Sequence, residues 1–83
     1  MTVRVSGEVD MSTAVKMFEF ATPDGAEFAT LDLTRVTFFD SAAIHALIRL
    51  AERFAGRFEV IPSQQVTRVL EIAGLGDQQW LKR

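Results

Sequence analysis

Apolar positions in the first nine residues alternate, with Val3 and Val5 on one side and Thr2, Arg4 and Ser6 on the other, the period of a half-buried strand over residues 2–6. Gly7 then permits a bulge or a turn. Beyond it the period lengthens: Ala14, Val15, Met17, Phe18 and Ala21 recur at helical spacing, with Asp10 or Ser12 placed to cap that helix. Thr22-Pro23-Asp24-Gly25 ends it, because proline presets its own φ and glycine accepts a positive one. Residues 28–33, FATLDL, return to strand alternation, with Leu31 and Leu33 opposite Asp32. The pattern then breaks at VTFFD, residues 36–40, which reads as a loop. From Ser41 to Ala55 the chain is strongly helical and closed by Gly56. FEVIP at 58–62 reads as a buried strand stopped by Pro62. A last helix spans 64–73, with Val66, Val69, Leu70 and Ala73 inward and Gly74 as its stop, and Gln78 to Leu81 reads as a short edge strand.

Strands alternating with helices predict an α/β domain, a partly parallel, mixed sheet packed against helices. At 83 residues the chain is one domain, residues 1–83, near the size at which a single core just offsets chain entropy. The hydrophobic fraction of 48% against 24% charged is that of a folded globular domain. With no cysteine and one histidine, disulfides, thiol nucleophiles and multi-histidine metal sites are excluded, and neither a metal nor a cofactor is expected. A net charge of −2 removes the overall attraction to phosphate backbones that nucleic-acid binding draws on. No apolar run reaches the roughly 20 residues of a membrane-spanning helix. The opening MTVRVSGEVD has no signal-peptide core, so the expected compartment is the cytoplasm.

The chemistry concentrates where the apolar run FF meets Asp40 and Ser41. On a helical wheel, residues 41–54 collect Ala43, Ile44, Leu47, Ile48, Ala51 and Phe54 on one arc. The opposite arc carries Ser41, His45, Arg49, Glu52 and Arg53. Three readings are open for Asp40 and Ser41. Either side chain caps the helix by accepting from a free backbone N–H, although no Ser/Thr-x-x-Glu box reinforces the cap. Ser41, His45 one turn on and Asp40 could form a hydrolase triad, without an evident oxyanion hole. Or Ser41 begins a polar stripe that faces a partner, together with whichever of Phe38 and Phe39 points outward.

VRVSGEVD at 3–10 and LDLTRVTFFDSAAIHALIRL at 31–50 resemble the STAS domains of bacterial anti-sigma-factor antagonists, in the opening strand with its Gly-Glu-hydrophobic-Asp turn and in the Leu-Asp-Leu strand followed by Asp-Ser. FEVI, QQVTRVLEIAG and Leu75 follow in the family's order. The resemblance implies a STAS-like domain whose Ser41 is phosphorylated by an anti-sigma-factor serine kinase, with Asp40 as the preceding acidic residue. It implies a partner switch: the unphosphorylated domain binds the anti-sigma factor and releases sigma, phosphorylation ends that complex, and a metal-dependent (PP2C-type) phosphatase restores it. The chain is then a substrate and binding module with no catalytic residue of its own. Its expected partner face comprises Phe38, Phe39, Asp40, Ser41, His45, Arg49 and Arg53. Two departures stand out. Ala42 and Ala43 replace the Ser-Gly that often follows Asp-Ser, which leaves room for an unphosphorylated accessory subunit of an ABC-type transporter or a signalling scaffold. Many members also have a strand before the one at Val3–Val5, so the expected sheet lacks that edge strand or the chain is trimmed. The sequence does not set an oligomeric state.

Overall fold

Bulges, more than strand lengths, shape the sheet that positions Ser41. In the computed structural model, which describes residues 1–82, β1 runs Thr2–Val9 and β2 runs Ala29–Phe39, so each is longer than the alternation indicates. They pair in parallel, Arg4 opposite Asp32, Ser6 opposite Arg35, Gly7 opposite Val36, Glu8 opposite Phe38 and Val9 opposite Phe39. β2 therefore carries one extra residue between Asp32 and Arg35 and another between Val36 and Phe38. Each extra residue reverses which side of the strand faces the core. The first turns Val36 inward in place of Arg35; the second turns Phe39 inward and Phe38 out. VTFF, residues 36–39, is thus strand and not loop, its apolar period being interrupted by bulges, and only Asp40 lies outside it. Asp32 fixes the first of them, its Oδ1 accepting from Thr34 N at 3.0 Å and from Thr34 Oγ1 at 2.7 Å. Gly7 lies beside the bulges at φ 80°, a conformation that disfavours a Cβ, and β1 continues through it.

Helix α1, Met11–Ala21, follows β1, and helix α2, Ser41–Phe54, follows β2. The third strand, β3 at Phe58–Pro62, pairs parallel to β2 through Ala29–Leu33, giving the order β1-β2-β3. All the named ladders are parallel, so the expected α/β sheet against helices is present without an antiparallel strand among the described residues. Right-handed crossovers that advance in one direction place their helices on one face. Accordingly α1 packs on β1 and against α2. The core of that face includes Val9, Leu31, Leu33, Leu47, Leu50 and Val60. Thr2, Arg4, Ser6 and Glu8 point to the opposite, solvated side, where Arg4 Nε lies 3.7 Å from Asp32 Oδ2.

Helix α3, Gln64–Ile72, continues beside β2 where β3 has ended. Ser63 caps it, accepting from Val66 N at 3.1 Å, and donates its hydroxyl to Val36 O at 2.7 Å, which occupies a β2 carbonyl that β3 does not reach. Gly74, at φ 79°, ends the helix as its sequence position indicates. Ala73, expected inward, is exposed as the C-cap. The predicted edge strand at Gln78–Leu81 reduces to one parallel bridge, Val60 to Leu81.

Candidate functional site

Three helices begin at the C-terminal ends of the parallel strands, each with a side-chain cap: Asp10, Asp40 and Ser63. That end of an open parallel sheet is where exposed backbone N–H groups and loop side chains converge. Val9 is registered with Phe39, and Asp40 N donates to Val9 O at 3.3 Å, so the first two capped turns lie side by side. At α1, Asp10 Oδ1 accepts from Ser12 N and Thr13 N, while Thr13 Oγ1 accepts from Asp10 N at 2.8 Å. The bonds to Oδ1 favour the charged carboxylate, above all the one from the Thr13 backbone, and hold Asp10 below the ordinary aspartate range.

At α2 the cap is Asp40, extended at φ −103°, ψ −173°, with Oδ1 accepting from Ala43 N at 3.1 Å. Ser41 is consequently the first helical residue. Its side chain is exposed and its hydroxyl makes no hydrogen bond to the described residues. Of the roles open to the pair, Asp40 takes the cap and Ser41 is left free of it. His45 is exposed one turn further on and is not hydrogen-bonded to Ser41, and Asp40 is turned to Ala43, so the three do not form a connected relay.

Phe38 is 49% exposed at the end of β2, whereas Phe39 is 4% exposed. Phe39 therefore anchors the end of β2 from within the core and leaves the expected partner face. His45, Arg49 and Arg53 all lie on the exposed side of α2. The wheel placed its core arc slightly off: Ile48 is exposed, while Ala46 and Leu50 are buried. Arg49 is not simply solvated, since its guanidinium carbon sits 4.4 Å from the centroid of the Phe18 ring on α1. Arg53 lies 5.7 Å over Phe54.

A groove of about 390 Å³ that the sequence did not reveal runs between α1 and α2, lined by Met11, Ala14, Val15, Phe18 and Glu19 on one side and Ala42, Ala46 and Arg49 on the other. Val15, expected inward, is 56% exposed and Met11 is 74% exposed. The available signal was the tighter subset Ala14, Met17 and Ala21, which alone defines the buried stripe of α1.

A family model described as "Mlab, STAS domain" matches residues 1–82. The chain belongs to the STAS domain family. The solved structure of the anti-sigma factor antagonist SpoIIAA in its unphosphorylated form superposes with a TM-score of 0.72 over 98% of this chain and 76% of that one, at 21% sequence identity. At that identity the likeness is one of fold. Among curated proteins no relative matches the chain. No helix among the described residues is long and apolar enough to cross a membrane, and no group of three or more potential metal-ligating side chains occurs among them.

Proposed function

We propose that this STAS domain is an anti-sigma-factor antagonist, a cytoplasmic binding module switched by phosphorylation of Ser41. The observation that carries the reading is the division of labour at the start of α2. Asp40 holds the helix end, so Ser41 Oγ is exposed and uncommitted at the C-terminal edge of the sheet. The proposed partner is an anti-sigma-factor serine kinase, with a PP2C-type phosphatase reversing the modification. The proposed face is Ser41 with Phe38, Asp40, His45, Arg49 and Arg53, without Phe39. A phosphoserine adds about −1.5 to −2 charge. At a helix N-terminus the free N–H groups and the dipole tolerate that charge, so the fold is expected to survive. Across a packed interface an unpaired charge costs several kcal/mol, so binding is expected to fail.

Incubation with anti-sigma kinases and ATP, followed by mass mapping, tests the site directly. Ser41→Ala is expected to bind constitutively, and Ser41→Glu to bind weakly while melting near wild type. Phosphorylation mapped elsewhere, or a phosphorylated domain that binds as tightly as the unmodified one, would overturn the reading. A second reading is an unphosphorylated accessory subunit of an ABC-type transporter. One observation favours it: Ala42 and Ala43 follow Ser41, where Ser-Gly often follows Asp-Ser in the family. Recovery of a transporter ATPase, and no kinase, with the tagged domain would select it.

A further inference from the structure

The groove between α1 and α2 combines three properties. Its walls are apolar and partly exposed, contributed by Met11, Val15 and Phe18. Its α2 side is lined by Ala42 and Ala46, one turn apart, small enough for a backbone to approach closely. Its far end is closed by Arg49, whose guanidinium lies against the Phe18 ring. Stacking engages the face of a guanidinium and leaves its N–H groups available in the plane. Arg49 makes no ion pair among the described residues, the two ion pairs there being Arg4–Asp32 and Lys82–Glu59. Arg49 is thus a cation held in place with no carboxylate within ion-pair distance, in a trough that also has Glu19 on its α1 rim and that begins on the α2 side at Ala42, the residue after Ser41.

From this charge complementarity we infer that the α1–α2 groove seats an amphipathic helix of a protein partner, with an Asp or Glu of that helix pairing with Arg49. The wall from Met11 to Phe18 spans about 10 Å at ~1.5 Å per residue. That length accommodates anchors at i, i+3 or i+4, and i+7 of a docked helix. His45 and Arg53 extend the basic flank along α2, while Glu19 on the α1 rim favours a basic residue on the occupant's other flank. The inference deepens the binding-module reading and rests on it. It also gives Ser41 a direct consequence, because a phosphate on the residue before Ala42 would stand near a helix selected for acidic residues.

The test titrates the ¹⁵N-labelled full chain with a designed helical peptide carrying leucines at i, i+4 and i+7 and one Glu placed to reach Arg49, and with its Glu→Lys counterpart. Amide shifts are expected at Met11, Val15, Phe18, Ala42, Ala46 and Arg49, with the Lys peptide about tenfold weaker. Arg49→Glu is expected to invert that preference. Val15→Asp is expected to weaken the Glu peptide at least tenfold with its melting temperature unchanged, the site being exposed. Shifts centred on Ile48 and Trp80, no preference between the peptides, or dilution-dependent shifts at the groove without peptide, which would mean that a second copy fills it, would each overturn the inference. Neither kinase nor ATP is involved. Failure here with phosphorylation intact removes the groove and keeps the switch, and the reverse result does the opposite.

Discussion

Asp40 and Ser41 are adjacent, similar in hydrogen-bonding capacity and different in work. Only Asp40 bonds an otherwise free helix N–H, through Ala43 N. Asp40→Ala is therefore expected to lower unfolding free energy by about 1 kcal/mol, the usual cost of a lost N-cap, while Ser41→Ala stays within about 0.5 kcal/mol of wild type. Urea denaturation of the two variants checks this, and equal losses would mean that the cap is shared. Two further carboxylates are tuned by their neighbours. Asp10 is held below its ordinary value by hydrogen bonds from Thr13 and Ser12, and Asp32 by those from Thr34 with a smaller contribution from Arg4. Because the folded state lowers these pKa values, the stabilisation is complete above the unfolded value near 3.8 and is lost as pH falls through the folded one. Stability is expected to decline below about pH 4. In Asp10→Asn/Asp32→Asn that decline should be shallower, measured by denaturation at a series of acidic pH values.

At the scale of elements, β2 decides what the site presents. Its two bulges hold Phe39 in the core and Phe38 at the surface immediately before the α2 cap. The other end of α2 carries a local strain. Ala55, the C-cap, sits in the left-handed region at φ 47°, ψ 56°, and Gly56 follows at φ 93°. A residue with a Cβ pays for that conformation where glycine does not. Ala55→Gly is expected to stabilise the domain by a few tenths to about 1 kcal/mol, the relief of strain exceeding the greater entropy of an unfolded glycine. Thermal unfolding checks the sign, and a lower melting temperature would mean that the Ala55 methyl contributes contacts outweighing its strain. The change lies at the opposite end of the helix from Ser41 and should leave phosphorylation of Ser41 unaltered.

The whole molecule is a small domain with little surplus core, so its C-terminal tail matters. Trp80 packs 5.8 Å from the Phe58 ring, Leu81 is buried, and Val60 N donates to Trp80 O at 2.7 Å while its carbonyl accepts from Lys82 N at 2.9 Å. Trp80 is the sole tryptophan. Its fluorescence should unfold with the same midpoint as the far-ultraviolet circular dichroism, a tail docked on β3 being part of one cooperative unit. An earlier fluorescence transition would show that the tail frays independently. The strand–helix alternation, the helix stops at Pro23 and Gly74 and the polar stripe of α2 were legible in the chain, since each follows from local periodicity or from the backbone limits of one residue type. The family resemblance likewise lay in two short blocks, residues 3–10 and residues 31–50 with Asp40-Ser41 inside the second. Other features required the folded molecule. A bulge is defined by its partner strand, so VTFF at 36–39 could be recognised as strand, and Phe39 separated from Phe38, only once β1 lay beside β2. Likewise Val15 and Phe18 fitted a helical period but faced a groove, because the inward side of α1 is set by where α2 packs. The stacking of Arg49 on Phe18 joins residues 31 positions apart. Local sequence sets which conformations are cheap, and long-range packing alone sets which side of each element meets a neighbour.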